Sequence, residues 1–483
     1  MNAMTPLPVV VIGAGPVGLA AAANLAERGI PFRVYEAGGE VGANLRDWAH
    51  VRIFTTWDQS VDPASRRLLE AQGWTLPDPD ALPTGGALCD RYLRPLATLP
   101  ELAGRIETGA KVAAISRQNI DKVSNKERES KPFILRITMA DGSIRTDLAR
   151  AIIDASGTWQ NPNPLGADGL PAGGEAAVAD RIAAGMPDVL GLQRKRYARK
   201  RVAVVGGGYS AINVLLDLVR LGQEESAGEL YWVVRGRNMA RIYGGGEADE
   251  LVARGKLGQH LKSLVESRRI HLVTGFATDS VERKGEGLVL SSGTQTLPPV
   301  DEIIAATGQR PDLTMTRELR LELDPGLESV KALGPLIDPN LHSCGSVPPH
   351  GHRETSHPEP GFYTIGVKSY GRAPTFLLLT GYEQARSVVA AIAGDMKAAD
   401  DVHLVLPETG ICDTDFAEDG SGCCGGPPKV EADACCVADE VAKAADQKGC
   451  GCGAAVSEER ALDRVSNKEA RAPRLHAPTQ PSP

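Results

Sequence analysis

A glycine-rich turn between a short apolar strand and a helix sets the narrowest limits on the fold of this chain. Residues 9–12, Val-Val-Val-Ile, have the β-branched composition of a buried parallel strand. The turn Gly-Ala-Gly-Pro-Val-Gly follows at residues 13–18. An Ala- and Leu-rich helix is predicted over 19–28, and a second strand over 32–35 ends at Glu36. This order is the fingerprint of a dinucleotide-binding βαβ unit.

Each part of this unit has a chemical role towards a nucleotide. Glycines permit a tight turn and let the backbone approach a pyrophosphate, while unpaired N–H groups at the start of the helix attract its negative charge. The carboxylate of Glu36 is placed to accept hydrogen bonds from ribose hydroxyls. The residues predicted to bind this first cofactor are Gly13, Gly15, Pro16, Val17, Gly18 and Glu36.

The same pattern occurs a second time in the middle of the chain. A strand over residues 201–205 leads into Gly-Gly-Gly-Tyr-Ser-Ala, and a helix over 212–221 follows. The next strand, 230–234, ends in arginines rather than an acid. Arginines there suit the 2′-phosphate of NADP, whereas an acid would bind the 2′-hydroxyl of NAD; simple solvation of both arginines is the alternative. The predicted nicotinamide-nucleotide site consists of Gly206, Gly208, Tyr209, Ser210, Ala211, Arg235 and Arg237.

Three later segments complete the predicted architecture. Strands over 151–157 and 302–308 end in small-residue turns and close one dinucleotide domain each, while a strand over 361–366 and a helix over 381–393 follow near the end. We therefore predict an α/β fold with two Rossmann-like domains and a Cys-rich flexible C-terminal tail. The first domain is predicted to begin with residues 1–165, the second to span 195–325, and the tail to span 407–483.

Residues 5–397 resemble the superfamily of two-dinucleotide-domain flavoproteins, which contains flavin-containing monooxygenases and thioredoxin reductases. The resemblance implies that the first glycine turn binds FAD, that the second binds NADPH, and that the last strand and helix lie beside the flavin. It further implies that the second domain is inserted in the first, with residues 335–398 returning to the first domain. In the related fold, the stretch 44–57 passes over the flavin; core packing is the alternative for its tryptophans. The resemblance adds the following residues to the predicted cofactor site: Arg46, Trp48, Gly157, Gly308 and Gly366.

The cysteine pattern bears on the reaction. A thiol–disulfide reductase needs two cysteines near the flavin, but residues 36–60 and 200–320 contain none. A monooxygenase needs less from its side chains, because its main task is to shield the reactive flavin from water. The chain departs from the motifs of both subfamilies. Gly366-Val367 stands where the related reductases have Gly-Asp. The fingerprint of the related monooxygenases has a histidine after its glycines, and between residues 159 and 201 no histidine follows the glycines of residues 166–174. A monooxygenase is the leading prediction and a reductase the alternative.

Two segments near the last strand supply candidate catalytic residues. Residues 342–357 hold four of the nine histidines and Cys344. An active-site loop in which Cys344 or His350 meets substrate, a metal site and a plain surface loop are the alternatives. The resemblance places Lys368 and Arg372 near the flavin, where a positive charge would stabilise the reduced anionic form; a solvated turn is the alternative.

Composition narrows the choice of partners. The net charge of −8, from 53 basic and 61 acidic residues, and an aromatic content of 4% argue against nucleic acid. The uncharged stretch 5–26 lacks the basic leader of a signal peptide and is interrupted by glycines, so no membrane segment is predicted. We expect a cytoplasmic enzyme with a small-molecule substrate; a homodimer stays open.

Most of the cysteines lie after residue 407, in a stretch rich in Gly, Asp, Glu, Ala and Pro. Clustered cytosolic thiolates select soft ions such as Cu(I), Zn(II) or trivalent arsenic. The vicinal pairs resemble the tails of arsenic-resistance proteins, which implies capture of As(III) and a trivalent arsenical as the substrate. A redox-active tail, including that of a redox-sensing flavoprotein, and an inert appendix are the alternatives. The predicted metal or metalloid ligands are Cys423, Cys424, Cys435, Cys436, Cys450 and Cys452.

Overall fold

The structure of the chain, a computed structural model, describes residues 6–225, 228–239, 243, 252–293, 295–341 and 347–404, all within one compact unit. Its strands are β1 (Val9–Ile12), β2 (Phe32–Tyr35), β3 (Ile106–Glu107), β4 (Ala110–Arg117), β5 (Phe133–Met139), β6 (Ile144–Ala149), β7 (Ala151–Asp154), β8 (Ile182–Ala184), β9 (Val202–Val205), β10 (Leu230–Val233), β11 (His271–Val273), β12 (Ser280–Lys284), β13 (Gly287–Ser292), β14 (Gln295–Thr296), β15 (Glu302–Ala305) and β16 (Phe362–Thr364). Its α-helices are α1 (Pro16–Glu27), α2 (Ala43–Arg46), α3 (Trp57–Ser60), α4 (Pro63–Ala71), α5 (Gly85–Leu88), α6 (Arg94–Ala97), α7 (Arg194–Tyr197), α8 (Tyr209–Glu225), α9 (Val252–Glu266), α10 (Gly334–Ile337), α11 (Leu378–Ile392) and α12 (Met396–Asp400).

The first parallel sheet has the strand order β16-β7-β1-β2-β3. Its strands β1 and β7 are buried along their whole length, which explains why they are apolar apart from Asp154 at the end of β7. Helices α1 and α11 cover one face of the sheet, and the antiparallel sheet β4-β5-β6 covers the other. The sheet is therefore the middle of three layers.

The second parallel sheet, with the order β11-β10-β9-β15-β8, repeats this layering. Helices α8 and α9 pack on one face, and the antiparallel sheet β12-β13-β14 packs on the other. All strands of the second sheet lie between β7 and β16 in sequence, and β16 returns to the first sheet beside β7. The prediction of two Rossmann-like domains, the second inserted in the first, is confirmed.

Several element boundaries differ from the sequence prediction. Helix α1 begins at Pro16, earlier than predicted, because proline fits the first helical position, where its missing N–H costs no hydrogen bond. Helix α11 begins at Leu378. Residues 366–370, predicted as loop from Lys368 onward, form a short 3₁₀ helix. No helix in the described part of the chain is long and apolar enough to span a membrane.

A buried charge cluster joins β4 to the segment that precedes β16. The carboxylate of Glu359 lies 2.7 Å from both the Arg117 and the Arg128 guanidinium groups, and all three side chains are at most 3% exposed. Arg117 also lies over the ring of Phe133, and the backbone N–H of Arg320 donates to the same carboxylate. The cluster fixes the approach of the last strand to the first sheet.

We predict that Glu359→Gln lowers the free energy of unfolding by about 3–5 kcal/mol, because it leaves buried guanidinium groups without a counterion. Urea unfolding followed by circular dichroism measures the effect. Glu70→Gln, which removes one partner of the exposed Arg66–Glu70 pair, is the control and should change stability by less than about 1 kcal/mol. Equal effects of the two substitutions would contradict this account of the cluster.

Candidate functional site

The first glycine turn is shaped by close backbone contacts on two sides and open space on the third. Gly13 has φ +97°, and a Cβ on it would lie 2.7 Å from the carbonyl oxygen of Ala155, at the end of β7. A Cβ on Gly18 would lie 2.0 Å from the carbonyl oxygen of Gly13. A Cβ on Gly15 would meet nothing within 4 Å, and α1 begins at the next residue, Pro16. An open glycine before a helix N-terminus is the geometry that accommodates a pyrophosphate.

The second turn has the same construction. Gly206 has φ +139°, and a Cβ on it would lie 2.1 Å from the carbonyl oxygen of Ala306, just after β15. Gly208 faces open space, and α8 begins at Tyr209. Ala211 takes the position of the third glycine and is fully buried. We call these two turns, residues 13–18 and 206–211, the first and second cradles; each has room for a nucleotide phosphate.

Glu36 lies beside the first cradle, as predicted for an acid at the end of β2. Its Oε2 accepts a hydrogen bond of 2.7 Å from the backbone N–H of Ala14, and its Oε1 accepts one of 2.8 Å from Gly38. Both oxygens keep a lone pair for a ribose hydroxyl. The carboxylate is thus held next to the cradle in a position to receive the sugar.

The glycines predicted at the ends of the later strands all lie at the carboxyl edges of the two sheets. Gly157 follows β7, Gly308 follows β15 and Gly366 follows β16, with φ of +74°, +85° and +71°. A Cβ on Gly366 would come within 3.4–3.5 Å of the side chain of Val17. The turn after β16 therefore packs against the first cradle.

The arginines predicted for the 2′-phosphate lie at the end of β10. Nη1 of Arg235 donates to the carbonyl oxygen of Ala167 at 2.6 Å. Arg237 lines a depression of about 250 Å³ together with Thr274, Gly275 and Gln295. A phosphate bound at this edge of the sheet would find the Arg237 guanidinium at the rim of the depression.

The stretch 44–57 lies between the two cradles. Trp159, just after β7, donates from Nε1 to Asp47 at 2.8 Å, and its ring lies 6.3 Å from that of Trp48. Phe54 packs edge-on against Tyr209 of the second cradle, with ring centroids 5.2 Å apart. Trp57, in contrast, is buried in the core. Aromatic side chains of the stretch thus stand where two bound nucleotides would approach each other.

Arg46, predicted as a cofactor contact, is engaged by acids in the structure. Its Nη2 lies 2.6 Å from Asp90 and its Nε lies 3.3 Å from Glu40. The hydrogen bond to Asp90 ties the start of the stretch to the segment around Asp90, and the one to Glu40 is local. A role of Arg46 towards a cofactor stays a prediction.

Lys368 belongs to a buried polar group that the sequence analysis did not recognise. Its Nζ lies 2.8 Å from Oδ2 of Asp154 and 3.0 Å from Oγ of Ser156. The Ser156 hydroxyl and backbone N–H in turn donate to Oδ1 of Asp154. The Lys368 and Asp154 side chains are 3% and 1% exposed. Asp154 is the last residue of an otherwise apolar strand, and that charge inside a buried run was the available signal.

His350 and Arg372, the other predicted catalytic residues that the structure describes, have different partners. His350 is buried, with Nδ1 at 2.9 Å from the Pro348 carbonyl oxygen and Nε2 at 3.4 Å from the Tyr370 hydroxyl, and burial lowers its pKa. Nε of Arg372 is paired with Glu328 at 2.5 Å. Cys344 lies outside the described residues. Roles for these three in catalysis stay predictions.

The predicted tail ligands also lie outside the described residues: Cys423, Cys424, Cys435, Cys436, Cys450 and Cys452. Among the residues that the structure describes, no group of three or more His, Cys, Asp and Glu side chains is arranged to hold a metal ion. Cys89 is the sole cysteine in that part of the chain; it is buried, and burial raises the pKa of its thiol to about 11.

Two parallel sheets, each with a glycine cradle before a helix, define a fold of two Rossmann-like domains. The family model for pyridine nucleotide-disulphide oxidoreductases matches residues 7–354, and the chain belongs to that family. The family contains oxidoreductases that bind FAD and a nicotinamide dinucleotide. The two open glycines fit these groups, because each leaves the space that a pyrophosphate needs at a helix N-terminus.

Relatives within this fold catalyse different reactions. An indole-3-pyruvate monooxygenase of Oryza sativa subsp. japonica is 27% identical over 224 residues, 45% of this chain and 46% of that protein, so the match spans less than half of the relative. A bacillithiol disulfide reductase from Bacillus cereus has a TM-score of 0.60 at 19% identity, covering 81% of this chain and all of that one. An ornithine N-hydroxylase from Kutzneria sp. 744 has a TM-score of 0.54 at 17% identity, with 81% and 100% covered.

We predict that Gly208→Ala weakens NADPH binding at least about tenfold while the unfolding transition stays within about 1 kcal/mol of that of the unmodified chain, because its Cβ enters only the open space of the second cradle. Isothermal titration and thermal unfolding measure the two quantities. Gly206→Ala is the matched comparison, since its Cβ would collide with backbone, and it should destabilise the chain. NADPH affinity unchanged in Gly208→Ala would contradict the assignment of this cradle.

Proposed function

We propose that the chain is an FAD- and NADPH-dependent monooxygenase that oxidises a soft nucleophile. In this proposal residues 1–165 and 335–398 hold FAD, and residues 195–325 hold NADPH. The observation that carries it is the absence of a thiol pair beside the first cradle within the described residues. Cys89 does not replace such a pair, because a single buried thiol with a pKa of about 11 stays protonated and cannot relay electrons.

The side chains between the cradles suit this reaction. When bound, FAD accepts a hydride from NADPH and supplies the electrons with which dioxygen is split, one oxygen atom entering the substrate and the other leaving as water. The protein must keep bulk water away from that chemistry. Trp48, Phe54 and Trp159 supply apolar surface between the cradles for this purpose. The buried Lys368 supplies a positive charge at the edge of the first sheet.

Two relatives support the proposal. The Oryza sativa protein is a monooxygenase, and the Kutzneria protein is an N-hydroxylase whose structure was solved with reduced FAD, NADP⁺ and L-ornithine. Both insert an oxygen atom, as their names state. For the present chain we propose the same use of NADPH, with Arg235 and Arg237 as the residues that meet its 2′-phosphate.

The substrate class follows from the tail. Adjacent thiolates bind soft, thiophilic centres, so we propose a trivalent arsenical as the substrate, captured by the tail cysteines and delivered to the flavin. Its lone pair on arsenic is a soft nucleophile of the kind that accepts an oxygen atom. The tail lies outside the described residues, and this part of the proposal rests on the sequence alone.

A second candidate is a flavoprotein reductase that relays electrons through the tail cysteines. The likeness to the bacillithiol disulfide reductase and the presence of six clustered cysteines favour it. The two candidates differ in what they need: the reductase requires the tail thiols for every turnover, whereas the monooxygenase requires dioxygen.

We predict that the full-length chain with all six tail cysteines replaced by serine keeps NADPH oxidation and oxygen uptake within about threefold of the unmodified chain when a soft nucleophile is supplied at saturation. Stopped-flow absorbance and an oxygen electrode measure the two rates, and ¹⁸O₂ with mass spectrometry shows whether the label enters the product. Cys89→Ser is the matched control for a thiol outside the tail. Turnover that is lost with the tail cysteines and indifferent to oxygen would establish the reductase instead. A rate of oxygen uptake that does not change when arsenite or an organoarsenical is added would refute the proposed substrate class.

A further inference from the structure

The order of strands in the first sheet indicates on which side of the first cradle each half of FAD lies. Glu36, which can take a ribose hydroxyl, stands at the end of β2, and the helix N-terminus that receives the pyrophosphate follows β1. β7 and β16 lie on the opposite side of β1 from β2. An extended dinucleotide with its adenosine over β2 and its pyrophosphate over β1 therefore has its riboflavin half over β7 and β16.

The buried Asp154–Lys368 pair stands at that end of the sheet. Asp154 is in register with Ile12, the last residue of β1, and with Thr364, the last residue of β16. Lys368 comes from the short helix that follows β16, and its ammonium lies 2.8 Å from the Asp154 carboxylate. The pair thus occupies the carboxyl edge of the sheet, on the riboflavin side of the cradle.

The ammonium of the pair keeps at least one N–H without an acceptor. Of its three N–H groups, one donates to Ser156 and at most one more faces the Asp154 carboxylate, whose Oδ2 lies 2.8 Å away as an ion-pair partner but accepts no hydrogen bond; the described part of the chain offers no acceptor for the third. A buried ion pair is no more stabilising than apolar residues of the same volume, so stability alone does not explain its presence. A buried, incompletely partnered donor at a ligand-binding edge indicates a ligand that completes it.

Two other titratable groups lie near the pair, Asp312 and His357, and neither supplies a second positive charge at this edge of the sheet. Hydrogen bonds from Thr314 and then the charge of Lys368 hold the pKa of Asp312 below its usual value, which places a second carboxylate in the field of the ammonium. His357 bonds to Thr364, and its burial lowers its pKa to about 4, so the imidazole is neutral. Lys111 of β4 also lowers the pKa of Asp312, with a smaller effect than Lys368; Lys368 is the cation paired with Asp154.

We propose that Asp154 and Ser156 are positioning residues that hold the Lys368 ammonium beneath the riboflavin half of FAD, where its third N–H meets an acceptor that gains negative charge on reduction. This inference rests on the proposed FAD site and adds two residues to it. The cation stabilises reduced over oxidised flavin, so it raises the reduction potential.

The test is the two-electron midpoint potential of the bound flavin, measured by dye-coupled reduction of the full-length FAD-loaded chain. We expect Lys368→Met to make reduction about tenfold less favourable, which corresponds to about 30 mV for a two-electron couple. Asp154→Asn and the double substitution should give the same lowered potential as Lys368→Met, because each leaves the site without an ammonium held in place by the carboxylate. Lys368→Arg, which keeps a cation, should lie closer to the unmodified chain. Lys331→Met removes an exposed lysine paired with Glu322 and is the control that should change nothing.

A potential that is unchanged in Lys368→Met with FAD bound would overturn the inference, as would additive shifts from the two single substitutions. If Lys368→Met fails to fold, Asp154→Asn, which preserves shape, gives the decisive value. Failure of the proposed function is seen separately: shifted potentials without substrate-coupled oxygen uptake would contradict the monooxygenase and leave the role of Lys368 standing.

Discussion

The absence of a side chain at two positions governs the construction of this molecule. At Gly13 and at Gly206, the backbone turns out of a central strand and passes against the carbonyl oxygen of a residue beyond the neighbouring strand, Ala155 and Ala306 respectively. A Cβ at either glycine would collide with that oxygen, and both have positive φ. Only this close passage brings the N-terminus of the following helix to the edge of the sheet, where it faces open space over Gly15 or Gly208.

The same plan is used twice, and the differences between the two copies separate their tasks. Each parallel sheet has helices on one face and a three-stranded antiparallel sheet on the other. Only the first sheet receives a strand from beyond the inserted domain, β16, and that strand brings Lys368 to Asp154. The first cradle therefore has a charged group beside it that the second sheet does not repeat among the described residues. The difference agrees with the proposed roles of the two cradles: the first would hold a flavin permanently beside the charged pair, and the second would bind and release the nicotinamide nucleotide.

The sequence revealed the parts of the fold that depend on neighbours in the chain. Both glycine turns and their strands were predictable, because strand, turn and helix follow one another within about thirty residues. The insertion of one domain in the other came from the resemblance to two-dinucleotide-domain flavoproteins, since β16 pairs with a strand about 200 residues earlier. The antiparallel sheets were missed: β6 alternates weakly and exposes Ile144, so its period carries little signal. The Asp154–Lys368 pair, the Arg46–Asp90 contact and the buried Glu359 cluster each join residues distant in sequence, and no local pattern predicts such pairs. Trp57 proved to be core packing, while Trp48 lies beside the site.

The occupancy of the two cradles is tested most directly by one titration. The full-length chain is purified, loaded with FAD, freed of excess cofactor, and titrated with NADPH under anaerobic conditions while the flavin absorbance is followed. We expect one FAD per chain and complete bleaching by one equivalent of NADPH, because one cradle holds the flavin and the other delivers the hydride donor to it. A chain that stays colourless after incubation with FAD, or a bound flavin that NADPH leaves yellow, would contradict the account.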